Sequence, residues 1–488
     1  MDKPGIRPNI MVIHCHDLGR HLGCYGWDVR TPNIDRLAAG GAVFTNHYST
    51  AATCSPSRGS RMTGIYPLRN GMWGHAQFGW SIDAGIKTIA QYLSEAGYET
   101  CSFGFQLSAN EDKRGFTRPI ESATNSALDV TPKVLQFIEK YAESDGPFYA
   151  DIGFDEVHRV IPLGGFIAGA ETPRSNLPRY VSRKENPEAY RGQVVRMVEH
   201  PIDSYQEEYD PGGIRALPYL PDLPGIRQDL ADLYTVITSV LDVAVGQILD
   251  ALRARGLEED TLVIFTTDHG IDIPRSKGSL YDAGMGTAFL VRYPRSVPAG
   301  IRHDELISNV DMLPTLLELV GCAIPPDLDG RSFLPLLVGG EYTPRKQVWA
   351  ESSWHGMYFA LRAIRTERFK YIRNFFVPHA FEINSTQSLA GRAVLAQAYE
   401  TKAPLEELYD LERDPHEQNN LAPQRTMHDL MDNGVPVRDS PLAEGDPAYK
   451  ETLLALSEEM RHYMAMTKDP LLTGPVPHIA QHLIWERF

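Results

Sequence analysis

Short, continuous apolar runs alternate along this chain with stretches whose apolar residues recur at helical spacing. Asn9-Ile10-Met11-Val12-Ile13 is apolar at successive positions and gives way to a polar cluster, the pattern of a strand buried on both faces of a parallel sheet. In Thr31-Pro32-Asn33-Ile34-Asp35-Arg36-Leu37 a capping residue precedes a proline, which predicts a helix start. Ala42 to Asn46 predicts a strand, Thr88 to Ala96 a helix, Glu99 to Phe103 a strand, Thr131 to Glu143 a helix and Phe148 to Gly153 a strand. A long amphipathic helix is predicted from about Arg227 to Arg255, closed by Gly256. Thr261 to Phe265 is another buried run, leading into Thr266-Thr267-Asp268-His269-Gly270. Further on, a helix begins at Asp311, Asp327 to Arg331 forms a turn, and Phe359–Ile364 with Phe369–Ile372 predict a hairpin.

Strands alternating with helices predict an α/β sandwich over residues 1–340, followed over 341–488 by a smaller C-terminal α+β domain with an antiparallel sheet and a helix. Segments 160–225 and 420–448 are rich in Pro, Gly and charge and read as loops. Ligands of such sheets gather at the carboxyl ends of strands. Polar clusters at 14–17, 104–107, 155–158 and 268–269 each follow a predicted strand, so one site can collect them all.

At 488 residues and 42% hydrophobic, the chain is long and apolar enough for one large core and a smaller one. Its formal charge of -16 opposes nucleic acid, anionic membrane and long polyanions, and favours a small substrate. The opening Met1 to Pro8 shows no apolar run, so neither a signal peptide nor a transmembrane segment is expected. Five cysteines without close pairing (Cys15, Cys24, Cys54, Cys101, Cys322) fit a reducing compartment. The expected location is cytoplasmic.

Against that background Cys54-Ser55-Pro56-Ser57-Arg58-Gly59-Ser60-Arg61-Met62-Thr63-Gly64 stands out. Pro56 at the first helical position would set Cys54 just before a helix N-terminus, whose amides face an incoming anion. The stretch resembles the active-site motif of the type I sulfatases of the alkaline phosphatase superfamily. The resemblance extends to the Thr31–Leu37 segment, Asp268-His269-Gly270, and Leu408-Tyr409-Asp410-Leu411-Glu412-Arg413-Asp414-Pro415-His416-Glu417-Gln418-Asn419-Asn420-Leu421. Arg69-Asn70-Gly71-Met72-Trp73-Gly74 and the segment from Thr261 to Tyr281 look most like the heparan N-sulfatase (sulfamidase) branch.

The resemblance implies a mixed sheet sandwiched by helices and a cysteine oxidised by a formylglycine-generating enzyme. The hydrated aldehyde attacks sulfur through one hydroxyl and expels sulfate with the other. Arg58 would hold the diol near its reactive form. The family binds a divalent cation, typically Ca²⁺, between two carboxylates after the first strand, the formylglycine and an Asp-Asn pair after a later one. Here those positions are His16-Asp17, Cys54 and Asp268-His269. Two oxygen ligands have become imidazoles, which shifts the preference from Ca²⁺ toward Mn²⁺ or Zn²⁺. His14 and Cys15 are assigned to the strand and its packing.

Other positions depart from the family. Its Gly-Lys-x-His, which holds sulfate oxygens and assists proton transfer, aligns with Gly104-Phe105-Gln106-Leu107, with Lys113 and Arg114 downstream. Its later His-x-Pro-His survives as Asp155-Glu156-Val157-His158, which leaves His158 as proton donor to the leaving group. Lys277 falls where a basic residue contacts sulfate, and His75 and His355 lie on loops expected to border the pocket. The sequence therefore predicts a hydrolase of a small sulfate ester or sulfamate. Two other readings stay open: a phosphonate or phosphate ester hydrolase of the same superfamily, and a non-catalytic binding protein with this fold. The segment from Pro470 to Phe488 also leaves open a homo-oligomer in which it packs as an arm on a neighbour.

Overall fold

A computed structural model describes residues 7–106, 115–144, 146–158, 208–355, 357–376, 394, 403–423, 431–432, 435–436 and 445–475. In chain order its strands include β1 (Asn9–Cys15), β2 (Ala42–Phe44), β3 (His47–Tyr48), β4 (Glu99–Gly104), β5 (Arg118–Ile120), β6 (Phe148–Gly153) and β7 (Thr261–Thr267). There follow β8 (Phe289–Arg292), β9 (Ile301–His303), β10 (Ile307–Ser308), β11 (Gln347–His355), β12 (Met357–Thr366), β13 (Phe369–Phe376) and β14 (Glu406–Asp410). Eight of them form one sheet in the order β5-β4-β6-β1-β7-β8-β2-β9. Pairing is parallel from β5 through β7, and β8 runs antiparallel to both its neighbours. The carboxyl ends of β4, β6, β1 and β7 consequently lie side by side.

The alternation of β1 distributes its residues between two cores. Met11 and Ile13 join Val134, Phe137, Ile237 and Val245 on one face, while Ile10 and Val12 join Ile89, Leu93, Leu313 and Leu316 on the other. Each such side chain contributes about 1.5–3 kcal/mol when fully buried, so a one-residue slip of this strand would exchange the two faces at great cost. The helix at Ala127–Tyr141 starts four residues before its predicted position, because Ser126 accepts from the Leu128 amide and the Glu156 carboxylate accepts from the Ala127 amide. The long helix starts at Pro224 instead of Arg227 and runs to Ala254 through a π-helical stretch at Ile237–Leu241. It is long and apolar enough to cross a membrane, yet 78% of its most apolar window is buried, as in a core helix.

A second, antiparallel sheet has the order β11-β12-β13-β14. One face packs Val348, Leu361 and Ile372 against Tyr48, Leu280 and Met285. The other receives Leu456 and Met460 of the Lys450–Met466 helix, where Trp349 stacks on Tyr463 at 4.0 Å.

Cys54–Thr63 is a helix in which every residue is buried. Thr53 is its N-cap and the Ser57 amide makes the first helical bond, so Cys54 is the first helical residue and Pro56 the third, not the first as predicted. Pro56 still lies among the positions whose N–H has no helical partner. The helix is tied to the sheet by charge. Arg61 donates to Asp151 of β6 at 3.0 and 3.3 Å, and the Tyr149 hydroxyl donates to the same carboxylate at 2.6 Å. His14, assigned from the sequence to strand packing alone, bridges Asp151 through Nε2 and Arg58 through Nδ1. Because arginine can only donate, Nδ1 is the acceptor and Nε2 carries the proton given to Asp151. Burial, helped by Arg61, lowers His14 to about 3 and keeps it neutral. Burial alone would raise the Asp151 carboxyl, but Arg61 and then His14 hold it well below its ordinary range.

Removing one partner of a buried ion pair strands the other charge. Arg61→Met should therefore cost about 3–5 kcal/mol in urea unfolding, whereas Arg36→Met, which breaks the exposed pair with Asp250, should cost under about 1 kcal/mol. Equal shifts of the two midpoints would refute the anchoring role of Arg61.

Candidate active site

Four strand ends and one helix N-terminus converge on the same buried space. Asp17, two residues past β1, has a φ of 50°, a left-handed conformation that costs a non-glycine residue about 1–2 kcal/mol. Its N–H donates to Asp268 Oδ1 at 3.1 Å, and the next turn is closed by the Gly19 amide on the His269 carbonyl. Asp268 also accepts from Arg58 Nε and Nη2 at 3.1 and 3.0 Å, both on Oδ2, and from the His269 amide at 3.0 Å. The remaining Arg58 bonds run to the Cys15 carbonyl and His14. Lys277 Nζ donates to Asp17 Oδ2 at 2.6 Å. Cys54 Sγ lies 3.4 Å from His269 Nε2, which is itself 3.4 Å from Asp17 Oδ1.

Electrostatics follow from this packing. Burial would raise the Cys54 thiol, but Lys277 and His269 hold it well below its ordinary value. For His269 burial works downward, and Asp268 followed by Cys54 overcomes it to reach about 9. Burial likewise opposes the charged form of Lys277, yet Asp17 keeps its ammonium well above the usual range.

Several donor atoms here are buried and unsatisfied. Neither nitrogen of His16 makes a hydrogen bond, nor does Asp17 Oδ1; Nδ1 stands 3.1 Å from Asp268 Oδ2 but is not aligned with it. Unpaired buried polar atoms are costly, and together these fit a bound cation. Two overlapping sets of donors lie within 4.8 Å of one another: His16, Asp17, Cys54 and His158, and Asp17, Cys54, Asp268 and His269. His158, 3.9 Å from Asp17 Oδ2, was read from the sequence as a proton donor, and the geometry places it among the donors too; its side chain is 26% exposed. The rings of His75 and His355 meet at 4.5 Å, tilted by 38°, and both nitrogens of His75 are buried without a partner. Burial, then His355, keeps His75 well below its ordinary value.

Phe105, where the resemblance expects lysine, sets its ring edge-to-face at 4.0 Å from His16 and lies 5.0 Å from the Arg58 guanidinium. Leu107, Lys113 and Arg114 fall outside the described residues. The sequence reading missed the Arg61–Asp151–His14 chain behind Arg58. Part of its signal was there: Asp151 is a single charged residue within the otherwise apolar run Phe148–Ile152.

The profile of the Sulfatase family matches residues 8–322, and that of the N-sulphoglucosamine sulphohydrolase C-terminal region matches 275–389. Human N-sulphoglucosamine sulphohydrolase is 27% identical over 96% of this chain and 92% of its own length. A protein solved in complex with its substrate D-glucosamine 2-N,6-O-disulfate superposes with a TM-score of 0.64 at 18% identity, covering 96% of this chain and 100% of that one. The phosphonate monoester hydrolase of Agrobacterium radiobacter gives 0.63 at 21% identity, over 97% and 100%. These structural likenesses show a shared fold, while the family profile spans most of the chain and includes the whole buried cluster. The chain belongs to the sulfatase family, hydrolases of sulfate esters and sulfamates on an alkaline-phosphatase-like fold.

Proposed function

We propose that the chain cleaves an S–O or S–N bond in a small sulfated or sulfamate compound, using residue 54 as formylglycine and a divalent cation held by His16, Asp17, residue 54, Asp268 and His269. The observation that carries this reading is Cys54 at a helix N-terminus, 3.4 Å from His269, beside the unpaired donors of His16 and Asp17. Formylglycine supplies a second hydroxyl for releasing sulfate, and the cation supplies a Lewis acid beside it. A donor set mixing imidazole nitrogen with carboxylate oxygen suits Mn²⁺ or Zn²⁺ better than Ca²⁺.

The chain's own residues position and neutralise. Arg58 fixes the Asp268 carboxylate with two charge-assisted bonds. Lys277 donates one N–H to Asp17 and has two more N–H groups for non-bridging sulfate oxygens, where negative charge grows in the transition state. His158, the part-exposed imidazole, is placed to hand a proton to the departing alcohol or amine. An amine leaves poorly without that proton. His75 and His355 form a wall that meets the leaving group. A second reading, a phosphonate or phosphate ester hydrolase, is favoured by His269 beside Asp268 and by Phe105 in place of a cation.

Peptide mass analysis of active enzyme, produced with the maturation enzyme, should show the aldehyde at residue 54; an intact thiol in active protein would overturn the diol chemistry. Cys54→Ala should lower turnover by about 10⁴-fold or more without moving the unfolding midpoint. Elemental analysis should find one Mn or Zn per chain, lost in His16→Ala; Ca in both proteins would contradict the ligand assignment. Removing the proton donor in His158→Asn should slow alkyl sulfate or sulfamate cleavage by about 10²–10⁴-fold and 4-nitrophenyl sulfate far less. Equal losses would exclude that role, and faster turnover of a phosphonate monoester than of any sulfate would favour the second reading.

A further inference from the structure

A cavity of about 230 Å³ lies apart from the Cys54 cluster, with Arg20, His21, Trp27, Arg275, Asp282 and Glu417 among its lining residues. On a chain with a net charge of -16 its guanidiniums are unusual. Arg20 donates to the His47 carbonyl, and its Nε is buried with no partner. Among the described residues Arg275 donates to the carbonyls of Tyr219 and Glu417. Each guanidinium rests on a tyrosine ring, Arg20 on Tyr48 at 4.8 Å and Arg275 on Tyr281 at 4.3 Å. Such stacking fixes the plane of the donors without occupying their N–H groups.

The carboxylates on the wall are already paired. Lys370 lies 2.6 Å from Asp282 and 3.3 Å from Glu417, and Arg365 lies 3.4 Å from Asp282. Lys370 and Arg365 stand behind the wall and hold its two carboxylates, so Arg20 and Arg275 are the cations that line the cavity itself. Its volume is below the roughly 300–1,000 Å³ of sites that enclose a whole drug-sized ligand, and it suits one oxyanion or one anionic substituent. Trp27, stacked on His21 at 4.0 Å, supplies an apolar side.

We propose that this cavity is a second oxyanion site, taking a sulfate or carboxylate group on Arg20 and Arg275, separate from the catalytic centre. Arg20 lies three residues after Asp17 and Arg275 two residues before Lys277, so each guanidinium hangs from a loop that carries one member of the Asp17–Lys277 ion pair. An anion held here stiffens the two loops that the ion pair joins. The oxyanion is either free sulfate or a substituent of the substrate; only the second source rests on the proposed function.

Calorimetric titration of the full chain with sodium sulfate tests it, with sodium chloride at equal ionic strength as the blank. Binding should persist within twofold in Cys54→Ala and weaken about tenfold or more in Arg20→Met and Arg275→Met. Arg20→Lys, which keeps the charge and guards against misfolding, should weaken it less than Arg20→Met. No sulfate binding in Cys54→Ala, or binding indifferent to both arginines, overturns the site whatever the enzyme hydrolyses. With D-glucosamine 2-N,6-O-disulfate as substrate, a KM raised in Arg20→Lys while that for 4-nitrophenyl sulfate stays fixed identifies a substrate substituent. Unchanged KM values together with weakened sulfate binding identify free sulfate.

Discussion

The carboxylate of Asp268 is the point on which the site depends. It is fully enclosed, and a bare carboxylate so placed would be expensive to ionise. Two bonds from Arg58 and two backbone N–H groups, those of Asp17 and His269, meet that cost. The same four contacts dictate geometry. They hold the left-handed turn at Asp17 against the end of β7, fix the arginine that shares a helix with Cys54, and bring the His16 imidazole to within 3.1 Å. Take away this acceptor and three elements lose their common reference at once.

Support for Arg58 reaches further back than the site itself. A guanidinium that must stay in place needs its other donors occupied, and the acceptors here are the Cys15 carbonyl and His14 Nδ1. His14 Nδ1 can accept only while the ring is neutral, and its Nε2–H donates to Asp151, with Arg61 balancing Asp151 in turn. Along this line the neutral His14 relays between Arg58 and Asp151, so each desolvated group has a partner of opposite sign or complementary role. The motif helix is thereby clamped to β1 and β6 by a polar rod inside an apolar core.

Much of this was legible in the sequence, for identifiable reasons. Strands β1, β6 and β7 are runs with no polar interruption long enough to read otherwise, and the Cys54 motif is local, so neither needed tertiary information. The helix start at Ser126 was misplaced because the carboxylate that steadies its first turn belongs to Glu156, thirty residues away. His14 was misassigned for a related reason: its partners Arg58 and Asp151 come from a helix and from another strand. The arginine-lined cavity was invisible, since Arg20, Arg275 and Glu417 meet only when the loops after β1 and β7 close on the C-terminal segment.

Two departures from the sulfatase pattern are best understood together. Where the resemblance expects a carboxylate after the first strand there is His16, and where it expects a lysine after a neighbouring strand there is Phe105. The two side chains touch, ring edge to ring face at 4.0 Å. A phenyl ring at position 105 places no second cation beside the Arg58 guanidinium, which lies 5.0 Å from it. A carboxylate at position 16 beside a phenyl ring would be desolvated on that flank, whereas an imidazole presents an apolar face to it and keeps its nitrogens for the interior. His16 and Phe105 are thus one packing unit. The positive charge near Asp17 is shared by Lys277, 2.6 Å from its carboxylate, and His269, which is held up at about 9 and lies 3.4 Å away.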